Sequence, residues 1–134
     1  MSEQENVQLV RRTYENYKAG DLQAVLGAFA ESVEWIQPQV EGISFSGKRK
    51  GRDRVAEFFA TMSEAQEPIV FEPQEYIAQG DRVVALGHYR WHAKATGREW
   101  EGDWAHVYTI RDGQITRFQE YTDTAMVIAA HRAS

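Results

Sequence analysis

The fold is decided by Arg82–Tyr121, RVVALGHYRWHAKATGREWEGDWAHVYTIRDGQITRFQEY. Side chains alternate between apolar and polar here with a period of two, the signature of half-buried strands. Val83, Ala85, Gly87, Tyr89, Trp91 and Ala93 share one face, opposite His88, Arg90 and His92. On the next run Trp100, Trp104, His106, Tyr108 and Ile110 oppose Glu99, Glu101 and Asp103. Thr96-Gly97 separates the two runs, and Asp112-Gly113 is a strong hairpin signal before Gln114–Tyr121 returns. One sheet face is therefore aromatic and the other charged.

Working outward, Ile69–Ala78 is a further strand, closed by Gly80-Asp81. Before Pro68 the period changes to that of helices. Val7, Val10, Tyr14 and Tyr17 mark a first amphipathic helix ended by Ala19-Gly20. Asp21 caps a second, with Leu22, Val25, Leu26 and Phe29 on one face. Val33–Gln37 is a short strand closed by Pro38, and Gly42–Gly51 is too polar and irregular for a regular element. Val55, Phe58, Phe59 and Met62 mark a third helix; Asp123 or Thr124 caps a last one holding Met126, Val127 and Ile128. Helices followed by a meander of antiparallel strands make an α+β domain spanning residues 1–134 without a linker. A strongly curved antiparallel sheet would close its aromatic face over the helices and leave His106 as a polar group in an apolar concavity.

Composition narrows the function. The 134 residues hold no Cys, which excludes disulfides, thiolate catalysis and zinc–thiolate sites. A net charge of −5 argues against nucleic acid as a partner. No apolar run reaches the ~18–20 residues of a membrane span, and Met1–Asn6 lacks the basic and apolar regions of a signal peptide. The expected location is the cytoplasm. Aromatic residues at 12% exceed what so small a core needs, which points to a ligand cavity and a small apolar or aromatic partner.

Five stretches together carry a family resemblance: YENYKAGDL (14–22), VEWIQP (33–38), Gly47–Phe59 with Gly51 before the helix, HVYTIRDGQI (106–115) and YTDTA (121–125). In order and spacing the chain resembles the SnoaL-like polyketide cyclases and ketosteroid isomerases of the nuclear transport factor 2-like superfamily. The resemblance implies a sheet wrapped around helices into a cone, an internal ligand cavity, and a homodimer. The steroid isomerases' oxyanion Tyr falls on Thr13, beside Tyr14; their base falls on Gln37, and their second oxyanion acid on His106. Their Tyr/Asp/Asp chemistry is therefore not expected here. The SnoaL-like cyclases fit better, having a His and, fourteen residues later, a carboxylate on the neighbouring strand: His106 and Glu120 here.

The phase of the last strand decides the carboxylate. A plain two-residue turn at Asp112-Gly113 pairs His106 with Gln119 and offers Tyr121 and Asp123. A three-residue loop with a bulge instead puts Phe118, Glu120 and Thr122 inside. Glu120 agrees with the resemblance; Asp123 is the reserve, with helix capping as its other role. His106 suits proton transfer, or equally a buried structural hydrogen bond. Tyr14, Tyr17, Trp35, Gln37, Phe58, Phe59, Tyr89, Trp91, Trp104, Tyr108 and Phe118 are the expected cavity wall, with Tyr14 and Gln37 as orienting donors. The basic run Lys48–Arg54 either attracts an anion or is a solvated loop. His88 and His92 flank Arg90 on the outer face, and His131 lies in a frayed tail, so no metal is expected, and no cofactor. Two functions stand open: a cofactor-independent acid–base enzyme of isomerase or cyclase type acting on a carbonyl or hydroxyl compound, and a non-catalytic ligand-binding or dimerising domain.

Overall fold

A computed structural model describes residues 2–132. Ser2 starts the first helix, α1 (Glu3–Lys18), by a reciprocal capping box with Glu5, and Asp21 caps the short α2 (Leu22–Gly27) through Ala24 N–H. Strands β1 (Phe29–Ile36) and β2 (Lys48–Lys50), helix α3 (Arg52–Ala65), strands β3 (Gln66–Gln79), β4 (Arg82–Ala93), β5 (Glu99–Arg111) and β6 (Gln114–Thr122), and helix α4 (Thr124–His131) complete the chain.

The six strands form one sheet in the order β2-β1-β6-β5-β4-β3. β3 to β6 are the expected antiparallel meander. The sheet extends beyond it, because β1 joins β6 in parallel and β2 pairs with β1. The α+β class holds, with a curved, open sheet and one parallel pair in place of a wholly antiparallel one. Two elements differ from expectation. Phe29 opens β1 rather than closing α2, and Lys48–Lys50 is a strand despite its charge. An edge strand needs only one satisfied ladder, so its side chains can remain in water. β3 begins at Gln66 and carries Pro68 and Pro73, which the outer edge position tolerates; register shifts lie beside both.

Alternation along β4 and β5 places the aromatic face inward: Tyr89, Trp91, Trp100, Trp104, Tyr108 and Ile110 are buried. Helices α1 and α3 lie against this side of the molecule, α1 on β3 and β4 and α3 on β1 and β3, while α4 meets β5. Tyr14 from α1 enters the rings, 5.6 Å from Phe71 and 5.7 Å from Trp104 between centroids. Trp35 from β1 stacks on Phe118 of β6 at 3.9 Å. The outer face carries cross-strand charges, with His88 held between Asp103 and Glu101, and Arg90 paired with Glu99.

The β5–β6 hairpin sets the phase on which the site depends. Its turn is a two-residue one, Asp112 and Gly113 both having positive φ (52° and 76°), and Arg111 pairs with Gln114. The shift comes one step later. Ile110 pairs with Ile115 but Thr109 with Arg117, so Thr116 is an extra residue in β6. The Thr116 hydroxyl donates to Thr109 C=O at this bulge. From there on, even positions face inward and His106 stands opposite Glu120.

Candidate active site

Two rigid strands and one helix bring three polar side chains together among rings. His106 projects from the middle of β5, Glu120 from β6 directly opposite, and Tyr14 from α1. His106 Nε2–H donates to Glu120 Oε2 at 2.7 Å, and Tyr14 O–H donates to His106 Nδ1 at 2.8 Å. The roles are those of the neutral imidazole tautomer that pairs its one N–H with the carboxylate and its lone pair with the tyrosine hydroxyl. Both partners are nearly enclosed, the side chains of His106 and Glu120 being 7% and 13% exposed. The imidazole is stacked on Trp104 at 4.0 Å and meets the edge of Phe118 at 4.8 Å. Burial holds the Tyr14 hydroxyl well above the ordinary range near 10, with Tyr108 adding to the effect. Tyr14 therefore stays a proton-bearing donor at any physiological pH.

These groups line a partly open cavity of about 90 Å³. Its wall includes Tyr14, Tyr17, Trp35, Gln37, Phe58, Phe59, Tyr89, Trp91, His106, Tyr108, Phe118 and Glu120. Tyr89 donates to Thr122 Oγ1 at 2.5 Å, adding a hydroxyl pair to the lining. Among the described residues no Lys or Arg lines it. The volume is below the ~150 Å³ that holds a benzene ring in an engineered closed cavity; this one opens toward solvent. Outside the sheet the wall is completed by residues of α1, α2 and α3, by Pro38, Val40, Ile43, Phe45 and Ser46 of the β1–β2 connection, and by Thr124 and Val127 of α4.

Two expectations are corrected, for Trp104 and His131, and the choice between Glu120 and its reserve Asp123 falls to the favoured Glu120. Trp104 does not line the cavity; it is packed between Phe71, on which it stacks at 5.4 Å, and His106. Asp123 caps α4, accepting from Met126 N–H at 3.2 Å, and Glu120 holds the inward position. His131 is not frayed: it ends α4, with a ring nitrogen 2.9 Å from Val127 O, and meets the edge of Phe45. The basic run has structural partners. Arg49 donates to the carbonyls of Ser44, Phe45 and Ser46 and lies over Phe58; Arg52 donates to Phe29 O; Arg54 pairs with Glu57. Among the described residues no cluster of three His, Asp or Glu could hold a metal.

Sequence reasoning missed Gln66, Trp100, Met62 and Phe71 as wall residues. Trp100 carried a signal, since it shares the phase of residues named for the wall. Gln66 carried none, because it sits at the junction of α3 and β3, where neither period applies.

Comparison with known proteins agrees with this architecture. Residues 10–118 match the SnoaL-like domain family. An uncharacterised protein of Mycobacterium tuberculosis (strain ATCC 25618 / H37Rv) is 27% identical over 126 residues, 93% of this chain and 95% of its own. The crystal structure of an NTF2-like protein from Burkholderia xenovorans LB400 is 35% identical and superposes with a TM-score of 0.89, covering 98% of this chain and 99% of that one. TerC, co-crystallised with polyporic acid, is 26% identical, with a TM-score of 0.83 over 96% of this chain and 99% of that one. No helix among the described residues is long and apolar enough to cross a membrane. On the family match and the shared fold together, the chain belongs to the SnoaL-like family of NTF2-like proteins.

Proposed function

We propose that this protein is a cofactor-independent acid–base enzyme acting on a small carbonyl or hydroxyl compound, by isomerisation or cyclisation. The observation that carries this reading is the Tyr14–His106–Glu120 hydrogen-bond chain at the wall of an otherwise apolar cavity. In the free protein both imidazole nitrogens are occupied. A substrate oxygen that takes the Tyr14 hydroxyl for itself leaves the Nδ1 lone pair free beside the bound molecule. His106 then removes a proton from the carbon next to the carbonyl. Glu120 stabilises the imidazolium on its other side, and Tyr14 donates to the developing oxyanion. Gln37, buried in the wall, is a second donor to that oxygen. The ring-lined wall supports an apolar or aromatic substrate, as does a relative co-crystallised with polyporic acid.

The test is deuterium incorporation into simple ketones (cyclohexanone, acetophenone, 2-tetralone) in D2O, followed by mass spectrometry. The native chain accelerates exchange in at least one, and His106→Gln lowers that rate at least ~100-fold. An unchanged rate in His106→Gln refutes the assignment. A second reading, a non-catalytic ligand-binding domain, is favoured by one observation: His106 is fully hydrogen-bonded without a ligand, as a structural histidine would be. Binding of these ketones without exchange selects it. A cytoplasmic homodimer is the setting that accompanies either reading.

A further inference from the structure

The cavity has a second polar region that the proton-transfer chain does not use. Trp91 and Trp100 are register partners on the inner face of β4 and β5, and Gln66 pairs with Ala93, the next inward position along β4. All three line the cavity and are at least nine-tenths buried. Among the described residues the indole N–H of Trp91, the indole N–H of Trp100 and the amide Oε1 of Gln66 have no hydrogen-bond partner. A buried unpaired group is costly, and such groups are rare in native structures without a reason. Two unpaired donors and one unpaired acceptor thus belong to neighbouring register positions of the β3–β4–β5 wall. Trp35 and Trp104 also have unpartnered indoles: Trp104 lies off the cavity, and Trp35 lines it from β1, stacked on Phe118 at 3.9 Å, away from the Trp91–Trp100 register pair.

We infer that Gln66, Trp91 and Trp100 form a recognition site for an uncharged hydroxyl group on the ligand. A hydroxyl fits both halves of the unmet demand: its proton goes to Gln66 Oε1 and its lone pairs accept from the indoles. A carbonyl would leave Gln66 Oε1 unpaired. A carboxylate would meet no cation, since among the described residues the wall has neither Lys nor Arg. Six strand positions separate Trp100 from His106, about 20 Å of backbone, so this hydroxyl is not the oxygen held by Tyr14. The inference deepens the proposed function: it assigns the substrate a hydroxyl remote from its reacting carbonyl.

The test uses p-cresol, its near-isostere p-xylene, and 4-methylbenzoate, with the protein labelled with 15N at tryptophan. The four indole N–H signals are assigned by Trp→Phe variants. On binding p-cresol the Trp91 or Trp100 signal moves downfield, whereas p-xylene leaves both in place. The ratio of p-cresol to p-xylene affinity falls five- to tenfold in Trp100→Phe and in Gln66→Met, the loss of about one hydrogen bond. Because each variant is compared with itself across two ligands, a general loss of stability cancels. 4-Methylbenzoate binds at least tenfold more weakly than p-cresol. Equal responses to p-cresol and p-xylene, an unchanged ratio in both variants, tight binding of the benzoate, or no binding of any probe overturns the inference. Retention of the indole shifts in His106→Gln separates this site from the proton-transfer chain; their loss there would place the hydroxyl at His106 and defeat this proposal alone.

Discussion

Gly87→Ala tests how tightly the site is built. Gly87 stands opposite Trp104 in the β4–β5 ladder. A Cβ at position 87 would lie 2.2 Å from Trp104 Cζ2, 2.6 Å from Trp104 Cε2 and 2.6 Å from the Glu72 carbonyl oxygen. Carbon atoms in contact prefer about 3.5–4.0 Å, so the indole or the β3 backbone must move by more than about an ångström. Neither is free to do so. The indole is stacked on His106 at 4.0 Å on one side and on Phe71 at 5.4 Å on the other. Two effects oppose each other. Removing a strand glycine alone stabilises by about 0.5–1 kcal/mol, while overpacking of this kind costs about 1–3 kcal/mol. Contacts as short as 2.2 Å and 2.6 Å put the cost in the upper half of its range, about 2–3 kcal/mol, so overpacking wins by about 1–2 kcal/mol. With an unfolding entropy of about 2.1 cal/mol/K per residue, this lowers Tm by roughly 4–7 °C. Urea unfolding followed by tryptophan fluorescence, with a thermal melt, measures it. A variant as stable as the parent, or more so, would refute the packing described around His106.

The remaining predictions concern charge and assembly. Burial pushes the Tyr17 hydroxyl up to about 12, and raises those of Tyr14, Tyr89 and Tyr108 further. Unfolded tyrosines ionise near ~10, so above that pH the folded chain holds more protons than the unfolded one. Stability therefore falls as pH rises from about 10 to 12, with Tyr17 alone contributing about 2–3 kcal/mol; Tyr17→Phe flattens that fall in urea titrations, and an identical pH slope contradicts it. Hydrogen bonds to Asp103 and then Glu101 raise the His88 pKa above its ordinary 6.5. Its contribution is complete below that ordinary value and is lost as pH rises through the raised one. NMR titration should find the His88 midpoint lowered in Asp103→Asn, and an unmoved midpoint counts against the pairing. Light scattering is expected to give twice the 15.4 kDa chain mass, with Ile77 and Tyr121 half-exposed on the outer face; a monomer would contradict the homodimer.

The parts of the fold legible in the sequence are those with a strict period. Alternation along Arg82–Arg111 placed every aromatic residue on its correct face, because a one-residue slip would drive rings into water. The parallel β1–β6 pair was not legible: no local pattern states which distant strand an eight-residue strand will join. Lys48–Lys50 was missed for a related reason, since an edge strand of charged residues lacks the hydrophobic signal that marks a buried one. At the site, the juxtaposition of His106 and Glu120 depended on the strand phase. The expected phase is the observed one, but the bulge lies at Thr116 inside the strand rather than in the loop. Asp112-Gly113 states its own turn; a Thr bulge has no comparable mark. Trp104 shares the inward phase of the wall residues, yet Gly87 opposite it lets the indole lie flat behind His106.

If His106 and Glu120 act as one proton-transfer unit, their losses do not multiply. The measurement is the rate of deuterium incorporation into an accepted ketone by the parent, His106→Gln, Glu120→Gln and the double variant. Each single change is expected to lower the rate ~100-fold or more, with the double variant no slower than the worse single one. Rates unchanged in either single variant, or losses that multiply in the double, would contradict a working His106–Glu120 pair.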